Sequence, residues 1–136
     1  MISFRLRTTN ETAKKLKRIH SATSITPNIL ARLSIALSLQ LKEQPEEVMG
    51  ESEGLEFNRH TLTGELDVLY KSLIKQHHGK NLSEKEYFPA IFNAHLTRGV
   101  NLLDEEYQYA GNTNKFIDNL LSMAQDYLED NEDAIS

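Results

Sequence analysis

The residues of this chain that could carry out acid–base or metal chemistry are chiefly its five histidines, because the sequence contains no cysteine. Without a thiol there is no cysteine nucleophile, no persulfide carrier and no cysteine-ligated metal or iron–sulfur centre. The histidines are not spaced as metal ligands, and the sequence has no HExxH motif, glycine-rich phosphate loop or nucleophile elbow. His20, His77 and His95 lie at apolar helical positions, where packing or one hydrogen bond explains them. The sequence therefore predicts a protein that is not an enzyme and holds no metal or cofactor.

Two further polar segments are candidates for chemistry. Arg98 in HLTRGVNLL is a candidate anion ligand, but a structural pair with an acidic residue is the interpretation we favour. The segment LTGE at 62–65 places Thr63 and Glu65 beside a glycine, and the same residues make an ordinary helix start.

Basic residues are concentrated at the N-terminal end of a chain whose net charge is −5. Residues 1–42 contain eight basic residues and one acidic residue, a net charge of +7, whereas residues 43–136 carry −12. Such asymmetry is typical of a polyanion-binding face on an acidic body. The alternatives are a solvated basic face and ion pairs with another subunit.

The first elements are predicted from two periodicities. In ISFRLR, at residues 2–7, apolar residues alternate with polar ones, which predicts a short strand with Arg5 and Arg7 on the face opposite the apolar side chains. The segment TTNE then offers helix N-caps, and a helix over about 11–21 follows. Its apolar side faces inward, and its outer side carries basic residues, namely Lys14, Lys15, Lys17 and Arg18.

A second helix is predicted from Thr26 and Pro27, a favourable cap and first-turn pair. The following NILARLSIALSLQL is apolar almost all round, which indicates burial. Strand, basic helix and buried helix form the order of a ribbon-helix-helix module, in which two chains pair their strands. The alternative is that the strand pairs with another segment of this chain and that the arginines are simply exposed.

The remainder predicts a helical body, so the fold class is mainly α: a ribbon-helix-helix-like module followed by about three helices. These helices cover about 63–78, a segment that starts at the capping box SEKE and is interrupted at Pro89, and about 113–129. We expect one domain over 1–136, divided into a basic part at 1–42, an acidic connection at 43–54, a helical body at 55–130 and a frayed tail at 131–136.

No apolar run has the length of a membrane span, and residues 1–30 lack the order of a secretory signal. These features predict a cytoplasmic protein that does not engage membranes.

Three blocks, taken in their order and spacing, resemble the DndE family, the small subunit of the bacterial DNA phosphorothioation system. The blocks are ITPNILARLSIALSL at 25–39, GLEFNRHTLTGE at 54–65 and HLTRGVNLL at 95–103. The resemblance implies a helical protein that assembles as a tetramer, binds DNA with a preference for nicked duplex, and acts beside subunits that mobilise sulfur and hydrolyse ATP. It also implies that basic residues, mainly lysines, contact the DNA.

The resemblance and the charge pattern together predict a non-catalytic DNA-binding subunit of the phosphorothioation machinery. It would hold the backbone of double-stranded DNA, nicked or intact, on a homo-oligomer, with a tetramer favoured. The expected contacts lie on the first helix and, as a second choice, on the strand: Lys14, Lys15, Lys17, Arg18, Arg5 and Arg7. The alternative function is a ribbon-helix-helix transcriptional repressor or antitoxin, which would read a palindromic sequence.

Overall fold

The computed structural model describes residues 5–49 and 53–130, without the side chains of residues 127 and 128, and it shows a mainly helical protein. The predicted fold class is confirmed. The elements are β1 (Arg5–Arg7), α1 (Asn10–Thr23), α2 (Pro27–Leu39), β2 (Glu56–Asn58), α3 (Arg59–Leu62), α4 (Asp67–His78), α5 (Glu84–Glu86), α6 (Phe92–Ala110) and α7 (Thr113–Asp130). Residues 2–4 of the predicted strand and the predicted frayed tail at 131–136 lie outside the described residues.

The two short strands pair with each other. β1 runs antiparallel to β2, with Leu6 opposite Phe57, and both of these side chains are buried. The pairing extends beyond the strands, because Gly54 N–H donates to Thr8 O at 2.8 Å. A Cβ at Gly54 would lie 2.3 Å from Thr9 O, so only glycine permits this approach. This corrects the expectation that a second chain completes the ladder, since the partner strand comes from the same chain.

Helix α1 begins and ends with well-defined caps. The Thr9 side chain accepts a hydrogen bond from Thr12 N–H, and Ser24 adopts a left-handed conformation with φ of 63° that closes the last turn onto His20 O. The buried face of α1 consists of Thr12, Ala13, Leu16 and Ile19. The alternation of these positions with basic ones follows the predicted amphipathic pattern.

Helix α2 is buried on one face rather than all round. Its buried residues are Leu30, Ala31, Ser34, Ile35 and Ser38. Ile29 and Ala36 are exposed, and Leu33 and Leu37 are half-buried. The described chain therefore covers only the side of α2 that meets its neighbours, and burial of the whole helix stays a prediction that requires a second chain. Helix α6 crosses α2 closely: a Cβ at Gly99 would lie 1.8 Å from Ser34 O.

The predicted helix over 63–78 is interrupted at its start. A 3-10 turn at Gly64–Leu66 separates α3 from α4, and Gly64 has φ of +50°, which breaks the regular helix. Helix α4 ends where predicted, at Gly79, whose φ is +86°.

The capping box at Ser83 and Glu86 is present and starts α5. The helix ends in a kink within Tyr87–Ile91, where Phe88 has extended φ and ψ before Pro89. Helix α6 starts immediately afterwards at Phe92, so the predicted restart at the proline is observed.

The chain divides into two compact units, residues 1–104 and residues 105–136. In the second unit, the rings of Tyr107 and Phe116 pack edge to face with centroids 5.4 Å apart, and Phe116 is fully buried. The single-domain organisation stays a prediction. No helix in the described part of the chain has the length and apolar character needed to cross a membrane.

Candidate nucleic-acid interface

Two lysines on α1 are the best placed to meet a polyanion. Lys14 and Lys17 are three residues apart on the outer side of the helix, opposite the buried face, and both are exposed. Within the described residues, neither has an ion-pair partner at salt-bridge distance. Their ammonium groups are therefore available to a ligand without first breaking a contact.

The other two predicted cations of α1 are held against α6. Lys15 Nζ donates to Asn101 Oδ1 at 2.6 Å and lies 3.4 Å from Glu11 Oε1. Arg18 Nη2 lies 2.6 Å from Asp104 Oδ1, and the Asp104 side chain is largely buried while the Arg18 side chain is half-exposed. These contacts tie α1 to α6, so part of the basic face that the sequence predicted serves the fold.

The two predicted arginines flank the buried Leu6 on β1. Arg7 lies 3.4 Å and Arg5 3.7 Å from the carboxylate of Glu56 on the paired strand, and all three side chains are largely exposed to solvent. Exposed ion pairs contribute only about 0–1 kcal/mol. A phosphate can therefore displace the Glu56 carboxylate at little cost in free energy. In the free protein this carboxylate partly neutralises both arginines.

A second set of charges, which sequence reasoning missed, lies in the interior. Arg59 is buried and makes a two-pronged contact with the Asp67 carboxylate, at 2.9 and 2.7 Å, and a third contact with Glu84 at 2.7 Å. The Lys71 ammonium also contacts Glu84, and the Arg59 guanidinium lies 5.0 Å from the centroid of the Tyr87 ring.

This interior network fixes the protonation states of its members. Hydrogen bonding to Arg59 holds the pKa of Asp67 and of Glu84 below their usual values, and the same bonds raise the pKa of Arg59. Burial raises the pKa of the Tyr87 hydroxyl. All charges are matched, so the network joins α3, α4 and α5 and is structural. The only feature of the sequence that pointed to this network was an arginine close to acidic residues, and such a spacing is common in proteins.

A serine, a histidine and an arginine meet at the end of α2 and superficially resemble a nucleophile with its base. Ser38 Oγ lies 2.9 Å from His95 Nδ1 and accepts a hydrogen bond from Arg98 Nε–H at 2.9 Å. Ser38 and His95 are both fully buried, so a substrate has no route to the hydroxyl. Arg98 also donates to the carbonyl oxygens of Ser38 and Glu43, both at 2.7 Å.

Arg98 therefore caps the carbonyl end of α2, which is a structural role. It pairs with backbone carbonyls, so the expectation of an acidic side-chain partner is wrong. Burial, with His77, Arg98 and His78 nearby, lowers the pKa of His95 to about 4, so its imidazole is neutral at pH 7. His77 Nε2–H donates to Leu41 O, and His20 Nδ1 lies 2.8 Å from Ile25 O, in line with the structural roles expected for these histidines.

One cavity has a lining of net negative charge, since Arg98 is its only basic residue, and it is therefore not suited to a polyanion. It measures about 490 Å³ and lies between the start of α1, the connection at 44–49 and α6, with three carboxylates in its lining, those of Glu11, Glu46 and Glu47. Among residues 5–49 and 53–130, no group of three or more histidine, aspartate or glutamate side chains is arranged to hold a metal ion.

The fold defines a small, mainly helical protein with one antiparallel pair of short strands. The family model described as DNA sulphur modification protein DndE matches residues 5–111. The chain belongs to the DndE family, which confirms the resemblance seen in the sequence.

Solved structures agree with this assignment. A crystal structure of DndE from Escherichia coli B7A, described as involved in DNA phosphorothioation modification, has a TM-score of 0.61 at 28% identity and covers 76% of this chain and 98% of its own. A double glycine-to-lysine mutant of DndE, described as involved in DNA phosphorothioation, has a TM-score of 0.57 at 27% identity and covers 75% of this chain and 98% of its own. No curated protein sequence matches the chain significantly.

Proposed function

We propose that this chain is a non-catalytic DNA-binding subunit of the DNA phosphorothioation machinery and that it holds the phosphate backbone of double-stranded DNA through α1. The observation that carries the proposal is the pair of exposed lysines, Lys14 and Lys17, on a chain of the DndE family. The work of such a subunit is done with the DNA, which places it in the cytoplasm.

Geometry supports backbone contact rather than base reading. Lys14 and Lys17 lie about one helical turn apart, so together they can reach neighbouring phosphates on one strand. Arg18 has a half-exposed side chain, and the contacts of Arg5 and Arg7 with Glu56 lie at the surface, so these three can add contacts once DNA displaces a carboxylate. Lys15 is the least available of the six, because its side chain is mostly covered and its ammonium is bonded to Asn101.

A supporting rather than catalytic role agrees with the chemistry of the chain. A subunit that carried sulfur as a persulfide would need a thiol, and the sequence has no cysteine. The contact between Ser38 and His95 is buried, and the Ser38 hydroxyl also accepts a hydrogen bond from Arg98. These contacts therefore support the fold.

The test of the proposal is DNA affinity at two salt concentrations for the double variant Lys14→Ala with Lys17→Ala. Each lost phosphate contact lowers the magnitude of the slope of log affinity against log salt by about 0.9, so we expect a reduction of about 2 for each chain engaged. The loss should be similar on duplexes of unrelated sequence, since no base is read.

A matched control is the double variant Lys80→Ala with Lys85→Ala. These lysines are also exposed, and their removal changes the net charge by the same amount at a different place on the chain. If both double variants lose affinity equally, the chain attracts DNA only through its overall charge. If neither loses affinity, α1 does not hold the DNA.

The same titration on nicked, intact and single-stranded DNA tests whether the subunit prefers a nick, as we propose. A ribbon-helix-helix repressor would instead prefer one palindromic operator by a large factor. That alternative loses its structural argument because β1 pairs with β2 of the same chain.

We further propose that the subunit acts as a homo-oligomer, most simply a tetramer. Several large apolar side chains are exposed on α2, at the start of α4 and on α4 itself, although the two helices contact each other: Ile29, Leu66, Leu69 and Leu73. Apolar patches of this kind mark interfaces between proteins. A second copy of the chain would cover them, and oligomerisation would repeat the lysine pair along the DNA.

Light scattering at micromolar concentration tests this assembly, with Leu69→Asp as the interface variant. We expect the wild type to be a tetramer and Leu69→Asp to dissociate, because a charge at a closed interface is left unpaired. Val68→Asp is the control at the neighbouring position, because the Val68 side chain is more exposed than that of Leu69. A monomeric wild type would exclude the oligomer.

A further inference from the structure

The segment after residue 111 lies beyond the family match and carries the entire excess of negative charge. Residues 112–136 contain six acidic residues and one lysine, a net charge of −5, while residues 1–111 contain fourteen acidic and fourteen basic residues. Helix α7 (Thr113–Asp130) therefore adds to the DndE family region of this chain an element whose charge is opposite to that of the lysine face.

Helix α7 also presents an apolar stripe that no described residue of its own unit covers. Ile117, Leu121 and Ala124 follow one another at helical spacing, so they lie on one face. Leu121 is 63% exposed and Ile117 is 37% exposed, and Ala124 is exposed as well. A different face of the helix carries Phe116, which is buried. The stripe is therefore not the side by which α7 packs.

Acidic side chains border this stripe. Asp118 and Glu129 are exposed and occupy the side of the helix next to the stripe. An amphipathic helix with apolar residues at i, i+4 and i+7 matches the pattern by which helices dock into apolar grooves of other proteins. Because the charges beside the stripe are negative, the residues at the edge of a matching groove should be basic.

We propose that the Ile117–Leu121–Ala124 stripe of α7 docks into an apolar groove with a basic rim on a DNA-handling partner protein of the phosphorothioation system. Proteins that act on DNA carry basic surfaces, which complement the −5 charge of this segment. The choice of a DNA-handling partner rests on the proposed function.

A second copy of this chain fits the stripe less well. Two α7 helices that met through this face would bring two segments of net charge −5 together, which opposes contact. The outer face of α1 has the complementary charge, but no large apolar side chain of α1 is exposed in the described structure, so it offers nothing for Leu121 to pack against.

The test is calorimetric titration of the full-length chain with each purified protein of the phosphorothioation system from the same source. The variants are Ile117→Ser with Leu121→Ser for the stripe, and Asp118→Asn with Glu129→Gln for its border. We expect at least one partner to bind the wild type, the stripe variant to weaken it by more than tenfold, and the border variant to flatten its salt dependence. Val68→Ser is the matched control, because Val68 is also an exposed apolar residue on a helix but lies on α4.

Three outcomes would overturn the docking proposal. They are no binding to any partner, equal affinity of the wild type and the stripe variant, and a loss of affinity in Val68→Ser as large as that in the stripe variant. Dissociation of the chain's own oligomer by the stripe variant in light scattering would identify a second copy as the occupant and overturn the proposal too. DNA affinity of the stripe variant is measured alongside and should be unchanged, so a failure of docking is distinguishable from a failure of the lysine face to bind DNA.

Discussion

Helices α1 and α7 are built on the same amphipathic period but differ in what their two faces meet. In α1 the apolar residues Leu16 and Ile19 are fully buried, and the outer face is basic. In α7 only part of the apolar surface is buried, Leu121 remains exposed, and the polar face is acidic. The periodicity alone predicts both helices equally well. Burial and the sign of the charge distinguish the two helices, and they support the two proposals, DNA contact for α1 and a protein partner for α7.

The largest expected effect comes from the same substitution in the two helices. Leu16→Ser removes a fully buried side chain and leaves a hydroxyl in an apolar site, so it should lower the free energy of unfolding by about 4 kcal/mol. Leu121→Ser should change it by less than about 0.5 kcal/mol, because the side chain already meets solvent. Urea unfolding followed by circular dichroism measures both. Equal losses would break the contrast between the helices.

A second expectation concerns the closed interior of the first unit, where burial lowers the pKa of His95 to about 4. An unfolded histidine titrates near 6.5. Since the folded pKa is the lower one, the unfolded state binds the proton first, and the contribution of His95 to stability is complete above about pH 6.5 and lost as the pH falls toward 4. His77, His78 and Arg98 add positive charge nearby and increase the penalty for a protonated ring.

Unfolding free energy measured between pH 7 and pH 4 checks this expectation, with His95→Gln as the comparison. We expect a decline of about 2–3 kcal/mol in the wild type beyond the decline in the variant. Parallel curves for the two proteins would show that water reaches His95 and that its surroundings are not a closed apolar interior.

A small change in stability should come from Glu56→Gln on β2. The substitution frees Arg5 and Arg7 from an exposed carboxylate, so stability should change by less than about 1 kcal/mol. DNA affinity should rise severalfold at low salt, because Arg7 no longer has to break its contact with this carboxylate and one negative charge is gone. Glu65→Gln, at another exposed glutamate, controls for the net charge. Equal gains in both variants would remove β1 from the interface.

Local features of the chain were predictable because their causes lie within a few residues. Thr9 caps α1, Thr26 and Pro27 begin α2, Gly79 ends α4, and the box at Ser83 and Glu86 starts α5. The break at Gly64 was missed, because an apolar repeat runs through it and a single glycine only weakly opposes a helix.

The candidate site was predictable only in part. The order of the sequence blocks identified the family, and the periodicity put Lys14 and Lys17 on the outside of α1. Whether DNA binds there is still a prediction. The contacts of Lys15 and Arg18 could not be foreseen, because their partners Asn101 and Asp104 are each 86 residues away in the sequence.

The sequence by itself determined the helical character, most helix ends, the charge asymmetry and the family of this protein, since each follows from local periodicity, capping chemistry or residue order. Only the tertiary structure decided that β1 pairs with β2, that Arg98 caps α2, and which basic side chains remain unpaired on α1. These depend on side chains that meet only after the chain has folded, and many pairings of similar energy are compatible with one local pattern. Among the described residues, folding therefore leaves Lys14 and Lys17 of α1 without an ion-pair partner and Leu121 of α7 exposed.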